Sequence, residues 1–351
     1  MDIEQNKAMN NKVTILTTVY NGLPFLKEAI ESTLNQSYRD FEYLIIDDCS
    51  TDESVKVIES YDDPRIRLVK NTKNLGTAET INKGLSIIDS KYIVRLDQDD
   101  VSLANRVEEQ ISYLEKNPDL DIVCSWEHTI DHNGKRIRDW KTEINNYGEF
   151  LGPVLLGLCP IWHPSIAFKR ESMINAGGFN KEYTRAEDFE VTVRMALKRL
   201  NAAIVPKFHL LQRQHQNRQS VQFEKEQMSM NKRVHNETLN FFIDDPLLKY
   251  FAEYLSLESK SIYRKDDLIK FNKILYELFS AVSNKQKLNS IEIKSLKNVF
   301  IKRIGFSLFY CHKFKILPNF LFKLIFNFIS PLANPRIRNF FSRTYHLFVN
   351  K

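Results

Sequence analysis

From residue 13 to about residue 127 the chain alternates between short apolar runs and stretches with helical spacing. Val13-Thr14-Ile15-Leu16-Thr17-Thr18-Val19 is rich in β-branched residues and predicts a strand. Pro24 opens a helical stretch in which Phe25, Leu26, Ala29, Ile30 and Leu34 share one face. A second strand is expected at Tyr43 to Ile46, a helix from Glu53 to Tyr61 and a third strand at Ile66 to Val69. Thr77 to Ile88 is again helical, with Ala78, Ile81, Leu85 and Ile88 as its apolar face. Tyr92 to Leu96 reads as a buried fourth strand, Leu103 to Lys116 as a helix and Asp121 to Trp126 as a fifth strand. Strands alternating with helices imply an α/β domain with a mostly parallel sheet and helices on both faces. In such sheets ligands bind outside the carboxyl ends of the strands.

Beyond residue 128 the pattern is mixed. A strand is expected at Ser165 to Phe168, a turn at Gly177-Gly178-Phe179 and a helix from about Ala186 to Leu200. Extended runs follow at Ala203 to Val205 and Phe208 to Arg213. From about 221 the chain becomes helical and polar, then basic and aromatic. The expected organisation is a flexible stretch 1–12, an α/β domain 13–220 and a mainly helical C-terminal region 221–351.

Composition narrows the class. The hydrophobic fraction of 43% is ordinary for a globular protein. Cys49, Cys124, Cys159 and Cys311 form no C-x-x-C pair, so neither a zinc knuckle nor a disulfide scaffold is indicated, and a reducing, cytoplasmic setting fits. Met1 to Lys12 is polar, with no apolar core of a secretory signal. The net charge of +6 is uneven: no acidic residue follows Glu292, while eleven Lys and Arg residues occur between Lys294 and Lys351. That asymmetry points to an anionic partner. Phe300 to Pro331 mixes Phe, Leu and Ile with basic residues, as segments lying on the inner face of an anionic membrane do. A packed helical subdomain with solvated lysines fits the same pattern, and both readings stay open.

Three of the expected strands end in polar clusters: Thr18-Val19-Tyr20-Asn21-Gly22, Asp47-Asp48-Cys49-Ser50-Thr51-Asp52 and Asp97-Gln98-Asp99-Asp100. Three at equivalent ends imply a shared pocket. Three carboxylates at the exit of a buried strand repel one another and cannot all be buried unpaired. A divalent cation relieves them, and Mg²⁺ is commonly held by one or two carboxylates plus substrate phosphates. A solvated acidic turn capping the next helix is the plainer alternative.

The ordered set TTVYNG at 17–22, DDCSTDES at 47–54, NLGTAETINKGL at 74–85, LDQDD at 96–100, GGF at 177–179 and AEDFE at 186–190 resembles glycosyltransferase family 2, the inverting nucleotide-sugar transferases with a Rossmann-like GT-A fold. The resemblance covers roughly residues 13–220. It implies that Thr18 and Tyr20 border the nucleotide base and that Asp48 bonds a uracil-type edge. Asp47 can equally be a cap or turn former. Asn74 would sit in a loop beside the donor, or simply precede the helix. Asp99 would coordinate Mn²⁺ or Mg²⁺, with Asp97 touching ribose or a metal-bound water and Asp100 capping the following helix. His215 would be a further ligand or phosphate contact, and Arg218 could meet a phosphate. Asp188 matches the family's general base, with Glu187 beside it. His163 and Gly178 fall on the side of the acceptor or donor sugar. Glu187 and Asp188 also form an acidic first turn that complements a helix dipole.

The chain departs from many relatives in lacking an aromatic and a proline soon after the acidic cluster, where Val101-Ser102-Leu103-Ala104-Asn105-Arg106 stands. No Q-x-x-R-W run follows Asp188, which argues against a processive synthase. The resemblance therefore implies a metal-dependent enzyme moving one hexosyl or N-acetylhexosaminyl unit from a nucleotide-sugar, with UDP the common nucleotide, to a glycan or lipid-linked acceptor in cell-surface polysaccharide synthesis. Competing classes are a non-catalytic sugar-nucleotide binder, a nucleic-acid-binding protein using the basic C-terminus, and a nucleotidyltransferase. Helix-turn-helix, zinc and RNP-type signatures are absent from the sequence. The first strand ends in Tyr20-Asn21-Gly22 rather than a glycine-rich basic loop, which disfavours the nucleotidyltransferase.

Overall fold

The computed structural model describes residues 12–216, 218–243 and 277–300. The chain divides into two compact units, residues 1–145 with 161–230, and residues 146–160 with 231–351. The boundary at 230 falls inside a helix, Glu224–Phe242.

The first unit is an α/β sheet domain. Its strands are β1 (Val13–Val19), β2 (Phe41–Asp47), β3 (Ile66–Lys70), β4 (Tyr92–Arg95), β5 (Val101–Ser102), β6 (Ile122–Ile130), β7 (Arg136–Trp140), β8 (Ala167–Lys169) and β9 (Ala202–Arg213). They form one sheet in the order β3-β2-β1-β4-β8-β6-β9-β5, with β7 added on β6. Strands β3, β2, β1 and β4 are all parallel. β8 then runs antiparallel to both β4 and β6, and β6 is parallel to β9. The crossovers among the parallel strands are α1 (Leu26–Leu34), α2 (Ser54–Glu59) and α3 (Thr77–Ile87). α1 turns Leu26, Ala29 and Ile30 inward, where they pack with Val13, Ile15, Tyr43 and Ile45. Burial on that scale, roughly 1.5–3 kcal/mol for each fully buried large side chain, holds the crossover to the sheet.

Four features depart from the expected pattern. Val101 and Ser102 pair with Leu211 and Leu210, and the Leu103 N–H donates to the His209 carbonyl at 2.9 Å. The next helix, α4 (Arg106–Lys116), therefore starts three residues later than its apolar spacing suggests. The two extended runs near 203 and 208 are one strand, because the register of β6 on β9 shifts where Pro206 and Lys207 intervene. β6 runs on to Ile130, since β7 and β9 both pair with its second half. Ser165 lies in a single 3₁₀ turn, His163–Ser165, and not in strand β8.

In the second unit α5 (Tyr147–Leu155) begins at Asn146, whose side chain accepts from the Glu149 N–H at 3.2 Å. Gly148 and Gly152 face the helical segment 290–300. A Cβ on Gly148 would lie 2.2 Å from the Glu292 carbonyl oxygen, and one on Gly152 2.9 Å from Val299. The two glycines thus permit backbone-to-backbone approach. Tyr147 Oη donates to Gln286 at 2.9 Å, and Asn146 Nδ2 to Ser295 at 3.0 Å. Among the described residues no helix is long and apolar enough to cross a membrane. The basic, aromatic stretch after Phe300 lies outside the described residues.

Candidate active site

The site is built where β1, β2 and β4 end side by side. Asn21, in the left-handed region at φ 50°, turns its Oδ1 back onto the loop after β2, where it accepts from the Thr51 N–H at 2.8 Å and the Asp52 N–H at 3.3 Å. The Asn21 N–H donates to Ser50 and the Gly22 N–H to Ser54. On the other side Gln98 bonds Tyr20 reciprocally: the Tyr20 N–H donates to Gln98 Oε1 at 2.8 Å, and Gln98 Nε2 donates to the Tyr20 carbonyl at 3.2 Å. This leaves the Tyr20 ring exposed at the mouth. Thr18, half-buried, pairs in register with Ile46 of β2.

Asp48 is buried and holds the loop that precedes α3. Its Oδ1 accepts from Leu75 N–H at 2.8 Å and Asn71 Nδ2 at 2.7 Å, and its Oδ2 from Gly76 N–H at 2.8 Å. Gly76 sits at φ 84°, which the tight turn onto the carboxylate requires. A carboxylate offers about four acceptor positions, so three donors leave one for a ligand. Asn74 is exposed in the same loop and accepts from Gly76 N–H at 3.1 Å.

The acidic run after β4 is divided among distinct partners. Asp97 accepts from Arg95 Nη2 at 2.6 Å. Asp99 meets His215 Nε2 at 2.8 Å, with Arg218 Nε at 3.8 Å. Burial is the largest single influence on the Asp99 carboxyl and pushes it up, but His215 and Arg218 together hold it below its ordinary value. Asp100 is fully buried. Its Oδ1 accepts from the Arg213 N–H at 2.9 Å, and its Oδ2 has no hydrogen-bond partner among the described residues. Burial and the adjacent Asp99 charge push Asp100 well up. Asp100 thus braces β9, and the expected cap of α4 is corrected: the residue at that helix start is Asn105, with no side-chain cap. Arg213, fully buried, also donates to the Asp99 carbonyl at 3.2 Å and pairs with Glu28, while its guanidinium lies 4.6 Å from the centre of the Phe25 ring. Phe25 in turn packs on His215, ring centres 4.8 Å apart.

After helix α6 (Arg170–Ala176), the second group of carboxylates opens helix α7 (Glu187–Leu197). Asp188 Oδ1 accepts from the Phe189 N–H at 2.7 Å. Burial raises Asp188 above its ordinary value against the pull of that N–H and of Arg95, and the charge of Asp97 adds to the rise. Burial pushes Glu187 up to about 7, helped by the charge of Asp188. Arg95 is therefore the hinge of the site. It pairs with Asp97, acts on Glu187, Asp188 and His163, and lies 5.9 Å from the centre of the Phe179 ring. His163 is buried and bonds Thr192 Oγ1 at 2.9 Å, while Thr192 donates to the Asp188 carbonyl. Burial, then Arg95, pushes His163 down to about 3, so it is neutral and supports α7. The Gly178 carbonyl accepts from Arg194 at 2.7 Å and its N–H donates to the Met173 carbonyl, contacts that belong to the turn before α7.

Arg95, Gln98, Arg106 and Arg213 were not singled out from the sequence. Arg95 had a signal, a charge inside the apolar run Tyr92 to Leu96. Arg106 is fully buried and donates to the carbonyls of Arg95, Pro164 and Ile166, tying β4 to the His163 turn. Burial lowers its guanidinium to about 10.

A divalent cation can be tested against this donor set. Among the described residues no cluster of three or more His, Cys, Asp or Glu could hold one unaided. Asp99 and His215, hydrogen-bonded to each other at 2.8 Å, would supply one oxygen and one nitrogen once a cation replaced that bond. They fit a cation whose remaining positions are filled by substrate phosphates and water.

A parallel α/β half whose strand ends carry a tied polar cradle is thus followed by a mixed half that brings in a buried carboxylate pair. The profile described as glycosyl transferase family 2 matches residues 14–177. An uncharacterized glycosyltransferase of Methanocaldococcus jannaschii is 31% identical over 202 residues, 56% of this chain and 69% of that protein. One from Haemophilus influenzae is 27% identical over 292 residues, covering 77% and 86%. The chain belongs to glycosyltransferase family 2 and is a transferase enzyme. In fold it is similar to residues 1–349 of Staphylococcus aureus TarS in complex with UDP-GlcNAc, with a TM-score of 0.52 at 14% identity over 97% of this chain and 88% of that one. It is likewise similar to the mannosyltransferase PcManGT of Pyrobaculum calidifontis in complex with GDP-Man and Mn²⁺, with a TM-score of 0.51 at 18% identity over 82% and 78%.

Proposed function

We propose that this enzyme moves one sugar from a uridine-diphosphate donor to a hydroxyl of a glycan or lipid-linked acceptor, with inversion, in cell-surface polysaccharide assembly. The observation that carries the reading is Asp188 in the first turn of α7, buried, raised by that burial and within the electrostatic reach of Arg95 and Asp97 at the end of β4. Deprotonating a sugar hydroxyl needs a positioned general base, and a carboxyl raised above its ordinary value is better suited to that task. Asp188 takes the acceptor O–H proton as that oxygen bonds to the anomeric carbon. The bond from this carbon to the diphosphate breaks on the opposite face, and the nucleoside diphosphate leaves. Asp99 and His215 would hold a divalent cation, which supplies neutralisation of the charge gathering on that diphosphate. The Asn21, Asp48 and Gln98 contacts hold the nucleotide cradle in shape, with Thr18, Tyr20 and Asn74 at its mouth. Glu187 stands beside the base on the side of the sugars. TarS and PcManGT carry UDP-GlcNAc and GDP-Man in their structures, which supports a nucleotide-sugar donor here. The basic stretch 294–351 is read as a contact for an anionic membrane surface.

Calorimetric titration of the purified protein with UDP, with and without Mn²⁺, tests this reading. Binding that requires the cation is expected. Failure of the folded protein to bind UDP, GDP or TDP under either condition would sink it.

A further inference from the structure

Glu127 plays no part in the machinery described so far, yet it is the most unusual carboxylate of the first unit. It sits on β6 at 1% exposure, and neither of its carboxylate oxygens has a hydrogen-bond partner among the described residues. Two residues on, Thr129 is at 0% exposure and its hydroxyl is also without a partner. Side chains two apart on a strand share a face. Three orphaned buried oxygens on one face are costly unless a ligand meets them.

The strand register places more on that face. Glu127 lies directly opposite Trp140 of β7, and Thr129 opposite Arg138, so all four side chains share it. The opposite face of β6 carries its own cluster, with Trp126 and His128 packed on Phe208. Trp140 is 40% exposed, and its ring stacks on Trp162 at 5.3 Å between centres and 29° between planes. The Arg138 guanidinium lies 4.5 Å from the centre of the Trp140 ring. The face adjoins the reacting end of the site, because Asp97 and Arg218 both act electrostatically on Glu127. Trp162 immediately precedes the His163 turn.

We propose that this face of the β6–β7 hairpin is the seat of the acceptor's terminal pyranose. The Trp140 ring, backed by Trp162, covers the apolar C–H face of the sugar. Glu127 and Thr129 are the unmet polar groups on that face that hydrogen-bond the sugar hydroxyls, and Arg138 donates at the rim. An exposed flat aromatic beside buried, unmet polar atoms is the combination that a ring with one apolar face and several hydroxyls satisfies. The proposal rests on the transferase reading, since that reading makes the bound sugar an acceptor.

The chain has three tryptophans, Trp126, Trp140 and Trp162, so its intrinsic fluorescence reads this hairpin. The full chain, Trp140→Ala and Glu127→Gln would be titrated with methyl glycosides and with di- and trisaccharides of glucose, galactose, mannose and N-acetylglucosamine. Fluorescence locates the binding and calorimetry gives the affinity, with UDP and Mn²⁺ titrated in parallel. The wild type should bind at least one of these sugars with an emission shift. Trp140→Ala should weaken that sugar by about tenfold or more, and Glu127→Gln should weaken it while UDP affinity stays unchanged in both variants. The proposal is overturned if the wild type binds UDP but none of the sugars. It is overturned as well if Trp140→Ala or Glu127→Gln retains wild-type sugar affinity, or if UDP-GlcNAc displaces the sugar, which would place a donor there. Sugar binding without UDP binding would instead fail the transferase reading and, with it, the sugar's role as acceptor.

Discussion

The ends of β1, β2 and β4 and the region around α7 and β6 handle polar groups in opposite ways. In the first, nearly every functional group is already tied: Asn21 to the loop after β2, Gln98 to Tyr20 from both sides, Asp48 to three donors. In the second, carboxylates are buried with few partners, and burial raises Glu127, Glu187 and Asp188. A nucleotide needs a fixed shape to bind, and a preformed cradle reduces the ordering that binding would otherwise require. Proton transfer needs ionisable groups held near neutrality, which burial without full compensation achieves. Under the proposed function the contrast separates a nucleotide-binding region from a reacting region.

The hardest test of that contrast is Asp188→Asn. If α7 is the reacting end, sugar transfer should fall by about 10²–10⁴-fold, the range a positioned base contributes. UDP affinity should stay within about twofold, since none of the tied contacts is touched. Transfer assays with UDP-sugars beside UDP calorimetry would check both. Parallel losses in the two would erase the division. Next in size is Asp99→Ala, which removes the carboxylate that meets His215. Cation-dependent UDP binding should drop by at least about tenfold, while any cation-independent binding persists.

Much of this layout was legible in the sequence where chemistry coincides with local pattern. The parallel strands β1 to β4 follow from apolar runs, and the motifs place Asp97 and Asp99 just after β4 and Asp188 in the first turn of α7. The structure brings Asp99 to His215 across 2.8 Å although 116 residues separate them in the chain. What could not be read depends on distant pairing. β5 exists only because Val101 and Ser102 meet Leu211 and Leu210. β7 is exposed along its length, so it shows no apolar alternation to detect. Asp100 looks like a helix cap until Arg213 arrives from β9 to take its oxygen. Glu127 is one acid in a strand until the register sets Trp140 beside it.

Asp48 sharpens the binding side of the comparison. Replacing it with Ala would strand the Leu75 N–H and leave the Gly76 N–H with Asn74 alone and Asn71 Nδ2 with Thr80 alone. Unfolding free energy should fall by about 1–3 kcal/mol, the usual cost of leaving buried donors unmet. Denaturant titration reads this directly. UDP affinity should fall with it, because the loop bearing Asn74 loses its anchor. Unchanged stability would mean that the cradle is held by other contacts.

A last effect comes from β6, where Glu127 should make the fold itself sensitive to pH. In the unfolded chain a glutamate titrates at about 4.3, whereas burial lifts Glu127 to about 8 in the fold, against the pull of Arg218 and Arg138. Between those values the folded state holds more protons than the unfolded one, so its stability falls as pH rises. The contribution is intact below about 4 and has been lost by about 8. Gln cannot ionise, so Glu127→Gln should escape this loss, and its advantage over the wild type should widen as pH rises. A thermal midpoint higher than the wild type's at pH 8, by a margin that shrinks steadily as pH falls to 5, is the expected pattern. A gap that stays constant with pH would show that Glu127 titrates alike in both states, and the burial that distinguishes this face from the nucleotide cradle would then have no energetic consequence.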